Sequence, residues 1–294
     1  MARVVVTGST ALDFVFSVQD MPTRPEKYKA DDVVMVGGGV AANAAVAVSR
    51  LGGQAILGAR LGDDFIADMI LSDLTAEGVD TSFVDRAVGG KSAFSSIYVD
   101  STGERQIVAF RGSGLNNEPE MLDRMPKAGA YLSDTRWDQA TMRAMQLARQ
   151  HGVPGIIDGE APVNLDVIKN ASHVAFSRQG LVELTGLEDM PKALAQVAQT
   201  LDAWLCVTDG EAGVWSYSKG QHAFYPAFAV PVTDTLGAGD IWHGAFALRL
   251  AEGTSEPEAV RFACAAAALK CMEHGGRKGC PDRAKTMTFL QENS

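Results

Sequence analysis

The chain has 294 residues, 46% hydrophobic and 21% charged, with a formal net charge of −10. That is enough apolar material for one substantial core, and the acidic balance excludes nucleic acid or an anionic membrane as the main partner, because both select basic surfaces. The cysteines (Cys206, Cys264, Cys271, Cys280) form no C-x-x-C pair and the histidines show no ligand spacing. With no basic, apolar leader and no run of about 18 apolar residues, the expectation is a reduced, cytoplasmic protein without metal cluster, disulfide framework or membrane span.

Along the chain, apolar β-rich runs alternate with segments of helical period. Val4 to Thr7 reads as the first strand, and Asp13 follows it at the edge where ligands of open α/β sheets bind. A carboxylate there either accepts hydrogen bonds from vicinal hydroxyls or caps a turn. Phe14 to Val36 breaks the rhythm as an antiparallel excursion. It ends in Gly37-Gly38-Gly39-Val40-Ala41-Ala42-Asn43, which opens a helix over Ala41 to Leu51. Glycines there let a ligand approach the backbone, and Asn43 adds a donor and an acceptor. The same run fits G-x-G-x-x-A, a dinucleotide fingerprint that expects an acidic residue about 20 positions on, where this chain has Arg60 before Asp63. A sugar-contacting loop, a structural helix entry and a dinucleotide site are the three readings.

A strand at Ala55 to Ala59 and a helix at Asp64 to Glu77 lead to a second excursion, Ser92 to Phe110. There Ser95 to Asp100 and Arg105 to Val108 flank a Ser-Thr-Gly turn. Two hairpins outside an otherwise parallel pattern predict a small separate sheet, about 14–36 and 92–111, placed as a lid. Strands at Ala130 to Ser133, Gly155 to Asp158, His173 to Ser177 and Trp204 to Thr208 then alternate with helices at Gln139 to His151, Gly180 to Thr185 and Met190 to Leu201. This is the pattern of βαβ units and a mostly parallel sheet covered on both faces.

Thr208-Asp209-Gly210-Glu211-Ala212-Gly213 suits phosphate contact or a plain hairpin turn. Asp234-Thr235-Leu236-Gly237-Ala238-Gly239-Asp240 runs into a helix over Ile241 to Ala251. Its glycines leave backbone N–H groups unobstructed at the positive end of a helix, which favours a phosphate, and Asp240 places a base beside it. The competing reading is a tight loop with capping carboxylates. A helix at Glu256 to Met272 precedes Gly275-Gly276-Arg277-Lys278-Gly279, a loop that either flanks a nucleotide or ends that helix. Neither G-x-x-x-x-G-K-[ST] nor G-x-S-x-G occurs.

Gly38-Gly39 with Asn43, Arg60-Leu61-Gly62-Asp63-Asp64, the Thr208 to Gly213 turn and the Asp234 to Asp240 motif, in that order, resemble the ribokinase or PfkB family of carbohydrate kinases over essentially the whole chain. The resemblance implies one α/β domain over 1–294: a ribokinase-like doubly wound, mostly parallel sheet with helices on both faces and a small β-sheet lid. It further implies ATP-dependent phosphorylation of a sugar hydroxyl with Mg²⁺, a monovalent cation as a further option, and a homodimer through the lid. By position, Asp240 would take the hydroxyl proton and Gly237, Ala238 and Gly239 would form the anion hole. Asp13, Gly38, Gly39 and Asn43 would hold the sugar, and Thr208, Gly210, Gly213 and Gly276 the nucleotide. Many members carry Asn-x-x-Glu where this chain has Ser177-Arg178-Gln179-Gly180, a departure that bears on how Mg²⁺ is organised.

Within the family the likeness is greatest to sulfofructose kinases, through Glu26-Lys27-Tyr28, Asp134-Thr135-Arg136-Trp137, Ala175-Phe176-Ser177 with Gly180-Leu181, and Ala267 to Cys271 before Gly275-Gly276-Arg277. It implies 6-deoxy-6-sulfofructose as substrate, phosphorylated at the 1-hydroxyl, with Lys27 and Arg136 on the sulfonate. Ala109 stands where an Asn is expected, and Arg111 is an alternative cation. Two cations in a cleft of an acidic protein call for an anionic substrate end, unless both are solvated surface charges. The fallback is another ketose, ketose phosphate or sugar acid such as 2-keto-3-deoxygluconate. From other classes stand an NADP-binding oxidoreductase and a non-catalytic sugar sensor.

Overall fold

The computed structural model describes residues 1–293. In chain order its elements are β1 (Arg3–Thr7), β2 (Ala11–Ser17), β3 (Asp32–Gly38), α1 (Val40–Arg50), β4 (Gln54–Gly58), β5 (Arg60–Gly62), α2 (Phe65–Ala76), β6 (Asp85–Ala87), β7 (Phe94–Val99), β8 (Arg105–Phe110), β9 (Ala130–Ser133), α3 (Asp138–His151), β10 (Gly155–Gly159), α4 (Leu165–Ile168), β11 (His173–Ser177), α5 (Arg178–Thr185), α6 (Met190–Val197), β12 (Trp204–Thr208), β13 (Val214–Ser218), β14 (Gln221–Tyr225), α7 (Ala238–Ala251), α8 (Glu256–Cys271) and α9 (Arg283–Glu292).

The main sheet has the order β14-β13-β12-β11-β10-β9-β1-β4, parallel from β12 to β4, with β13 and β14 antiparallel at one edge. Side chains alternate across it as a strand requires. Val4, Val6, Ala55 and Leu57 join one core with α1, α2, α7 and α8, while Val5, Ile56 and Tyr131 join the other with α3, α5 and α6. This double cover explains why the strands read as continuous apolar runs. From β1 the chain first moves outward to β4, then returns to β9 on the other side of β1. Successive crossovers therefore diverge between β1 and β9, which opens a crevice at their carboxyl ends. Helix α7 packs between α1 and α8 and is buried along most of its length, so its N-terminus is held rigidly at that crevice.

The second sheet has the order β3-β2-β7-β8. Each hairpin is antiparallel, as the turn signals predict, and the two join through a parallel β2–β7 pairing. Asp64 ties this lid to the core: it caps α2 by accepting from Ala67 N at 2.9 Å and also accepts from Ser92 N and Ser92 Oγ, each at 2.7 Å.

Three expectations change. Asp13 lies within lid strand β2, not in a loop after β1. The glycines at 37 to 39 end antiparallel lid strand β3, so the βαβ unit that a dinucleotide fingerprint needs is missing and that reading is overturned. The β13–β14 hairpin went unanticipated, although Val214-Trp215-Ser216-Tyr217 alternates and Lys219-Gly220 follows with φ of 49° and 81°, the geometry of a two-residue hairpin turn. Among the described residues no helix is long and apolar enough to cross a membrane.

Candidate active site

Beneath the lid, at the carboxyl ends flanking the β1–β9 divergence, lies a cavity of about 740 Å³. Nine of the expected site residues line it: Asp13, Gly38, Gly39, Asn43, Arg136, Gly237, Gly239, Asp240 and Gly276. Lys27 does not; it is exposed in the loop between β2 and β3. Thr208, Gly210 and Gly213 form the turn from β12 into β13, outside this cavity. A Cβ on Gly213 would lie 2.4 Å from Tyr225 O, so the turn abuts the 225–229 segment that lines a second cavity, of about 570 Å³, with Arg261 and Cys264 of α8.

Gly237 takes φ 76° as the N-cap of α7, a left-handed conformation that glycine adopts without strain. The amide of Ala238 is committed to Thr235 O at 3.1 Å, which corrects its expected place in the anion hole. The amides of Gly237, Gly239 and Asp240 meet no acceptor among the described residues, so these three donors are open at the positive end of a 14-residue helix.

Asp240 stands at the cavity floor, enclosed by protein except along the cavity. Its Oδ2 accepts from Asn43 Nδ2 at 2.7 Å, and Asn43 Oδ1 faces Arg277 Nη1 at 3.4 Å, so the amide has one orientation. Arg277 is 2% exposed, pairs with Asp73 of α2 and covers Gly37 so closely that a Cβ there would sit 1.7 Å from Nη2. Burial, then the charge of Asp158, pushes the Asp240 carboxyl up to about 8, with Glu160 adding and Asn43 and His243 opposing. Asp13 is also raised, by burial, against the Ser95 hydroxyl and the charge of Arg277.

The loop before α7 hangs on Asp234. Its Oδ1 accepts from Leu236 N at 2.9 Å and its Oδ2 from Gly275 N and Gly276 N at 3.1 Å. Lys270, fully buried on α8, donates to Asp234 O at 2.6 Å and pairs with the carboxylate at 3.2 Å; Arg105 of lid strand β8 lies 3.6 Å away. Burial alone would raise this carboxyl, but the amides of Leu236 and Gly276 and the Lys270 ammonium outweigh it and hold it at about 2.

The departure at 177–180 has a steric cause. Ser177 caps α5 by accepting from Gly180 N at 3.0 Å, and a Cβ on Gly180 would lie 2.1 Å from the carbonyl oxygen of Gly159. Backbone at Gly159, the last residue of β10, and at Ala161 beyond it occupies that space. Gly180→Glu is therefore expected to add no carboxylate to the site. It should lower Tm by roughly 2–9 °C, as overpacking against backbone does, in a thermal unfolding scan.

Sequence reasoning missed Arg277, Asp158, Glu160 and His243 as neighbours of the base. Asp158 carried a usable signal, an acidic residue at the carboxyl end of a central strand. Arg60 also lines the cavity, its guanidinium 4.8 Å above the Trp137 ring. Among the described residues no group of three or more His, Cys, Asp or Glu side chains could hold a metal ion.

Comparison with known proteins agrees with this geometry. The family model described as pfkB family carbohydrate kinase matches residues 1–283. Bacillus subtilis ribokinase is 29% identical over 297 residues, covering 99% of this chain and 100% of that protein. Zea mays fructokinase-1 is 27% identical over 321 residues, covering 98% of each. The structure of Arabidopsis thaliana ribokinase complexed with ribose and ATP shares the fold at TM-score 0.89 and 24% identity, over 99% of both chains. The family match spans nearly the whole chain, and the chain belongs to the pfkB family of carbohydrate kinases, phosphotransferases with an alcohol acceptor.

Proposed function

We propose that this sugar kinase transfers the γ-phosphoryl group of ATP to a sugar with an anionic end, with 6-deoxy-6-sulfofructose, converted to its 1-phosphate, as the preferred substrate. The observation that carries the transfer is the Asp240 carboxylate among the open amides of Gly237, Gly239 and Asp240. Asp240 accepts the proton of the acceptor hydroxyl while its oxygen bonds to phosphorus and the bond to the ADP oxygen breaks; the amides take up charge on the transferring group. Asp13, the backbone at Gly38 and Gly39, and Asn43 face the sugar from the lid side.

The nucleotide lies along the Thr208–Gly213 turn and Gly276. Its base takes the second cavity, where apolar Ala227 and Phe228 face Cys264 and Trp242 of α7 donates to the Cys264 sulfur at 3.4 Å. Mg²⁺, if bound, would be held by the nucleotide phosphates and would offset their negative charge, and no residue of the chain is assigned to it.

The anionic end is supported by the cations of the main cavity. Arg136 is half-buried, bonded to Glu160 Oε2 at 2.5 Å and Ala161 O at 2.8 Å, and Arg111 lines the same space. Lys27 reaches the substrate only by movement of the lid. An assay with ATP·Mg over sulfofructose, fructose phosphates, fructose, ribose and 2-keto-3-deoxygluconate tests the reading. Arg136→Ala should raise KM roughly 10- to 100-fold for the anionic sugar and much less for fructose, the worth of a charge-assisted contact. An equal effect on both would remove the anion assignment. Val33, Val34, Met35, Ile107 and Val108 leave apolar surface exposed on the lid, and a homodimer that buries it is expected in sedimentation velocity.

A further inference from the structure

Two buried groups behind the base have no part in the scheme above. His243 lies on α7, one turn past Gly239, and Asp158 lies on β10; their side chains are 3% and 6% exposed. Both imidazole nitrogens face backbone carbonyl oxygens. Nδ1 is 2.7 Å from Gly239 O, and Nε2 is 3.1 Å from Ala175 O on β11.

A neutral imidazole has one N–H and one lone pair. In either tautomer one nitrogen would turn its lone pair onto a carbonyl oxygen. A ring with two N–H groups satisfies both contacts, and Asp158 Oδ2, 3.1 Å from Nδ1, supplies the opposite charge. The Asp158–His243 pair is then neutral as a unit and holds one proton, placed on Nδ1 by the closer oxygen of Gly239.

The site of this unit matters. Gly239 contributes an open amide to the anion hole, and its carbonyl is the atom that His243 holds. Asp240 follows directly on the same helix. The charged groups around the pair are Asp240 on α7, Glu160 at the end of β10, and Asp134 and Arg136 beyond β9. From β11 the Ala175 carbonyl faces the ring, and on α7 the Trp242 ring stands edge-on at 5.2 Å. Burial disfavours either charge alone, raising Asp158 and lowering His243; the carbonyls of Ala175 and Gly239 and the charges of Asp240 and Glu160 support the imidazolium.

We propose that Asp158 and His243 form a proton-sharing pair, with His243 doubly protonated, that positions the Gly239 peptide and sets the protonation of Asp240 from behind. The link to turnover rests on the kinase reading; the protonation state of the pair does not.

The first test is therefore independent of activity. In ¹⁵N-histidine-labelled protein, long-range ¹H–¹⁵N spectra should show N–H groups on both His243 nitrogens at pH 8, where an ordinary histidine is neutral, and Asp158→Asn should lose one of them. A single N–H in the unsubstituted protein overturns the proposal whether or not a sugar is ever phosphorylated.

The second test is the pH profile of kcat/KM. His243→Asn removes the imidazolium charge that opposes the raising of the Asp240 carboxyl. Its acid limb should move to higher pH, with a rate at pH 7 at least about 10-fold low and largely restored by pH 9. Asp158→Asn removes the carboxylate whose charge, after burial, raises Asp240 most, and should move the limb the other way. Equal losses at every pH, or shifts in the same direction, would mean a merely structural role and overturn the coupling to Asp240.

Discussion

Asp240→Asn is expected to reduce kcat by ~10²- to 10⁴-fold, the usual weight of a general base, and to make the fold more stable in alkali than the unsubstituted protein. The amide keeps the shape of the carboxyl and still presents an oxygen to Asn43 Nδ2, so binding geometry is preserved. The stability gain follows from linkage. The native carboxyl titrates at about 8 against 3.8 when unfolded, so between those values the folded state binds more protons. Stability from this group is complete below pH 3.8 and is lost as pH rises through about 8. Asparagine has no charge to bury, so the variant's Tm advantage should be absent near pH 4 and reach at least ~3 °C at pH 9 by scanning calorimetry. In the same way kcat/KM of the unsubstituted enzyme should climb with pH through about 8, since the base works only after losing its proton. Turnover unchanged by the substitution would remove Asp240 from the mechanism.

Asp234→Ala should be the most damaging single change to the scaffold of the site. Truncation strands the fully buried Lys270 ammonium and frees the amides of Leu236, Gly275 and Gly276 together. Breaking one side of a buried pair costs about 3–5 kcal/mol, hence a Tm lower by roughly 6–15 °C. The variant also loses a pH dependence. With its native carboxyl at about 2 against 3.8 unfolded, Asp234 contributes stability that is present above pH 3.8 and disappears as pH falls through about 2. The unsubstituted protein should show that acid loss and the variant should not. Lys270→Met combined with Asp234→Ala should cost less than the two changes summed, because the second removes the charge that the first left unpaired. Strict additivity in a double-mutant cycle would show that the pair does not anchor the loop. Since the loop carries Gly237, kcat should fall with stability.

How much of this was legible depends on the range over which a residue acts. The central strands, the helices from α1 to α8 apart from short α4, and the two lid hairpins follow from period and turn chemistry, which are local. The loop before α7 was legible as a candidate phosphate site for the same reason: glycines, a helix start and a carboxylate fall within seven residues. Strand β2 was misjudged at its start because Ala11-Leu12-Asp13 reads equally as a strand or a loop until β7 lies beside it. The dinucleotide fingerprint failed at Gly37 because the motif describes a turn, whereas its meaning depends on which sheet supplies the preceding strand.

The sequence by itself determined the alternation of elements, the family of chemistry and Asp240 as the candidate base, because each is written in local patterns and short motifs. Only the tertiary structure decided which partners surround that base. Arg277 meets Asn43 across 234 residues of chain, and Asp158 of strand β10 meets His243 of helix α7. Ala238 loses its place in the anion hole to a carbonyl three residues back, through a turn conformation that residue identity does not specify. The physical reason is common to all three: a proton affinity or a free donor is set by what stands within a few ångströms, and chain folding brings those neighbours together from positions whose spacing encodes nothing about the meeting.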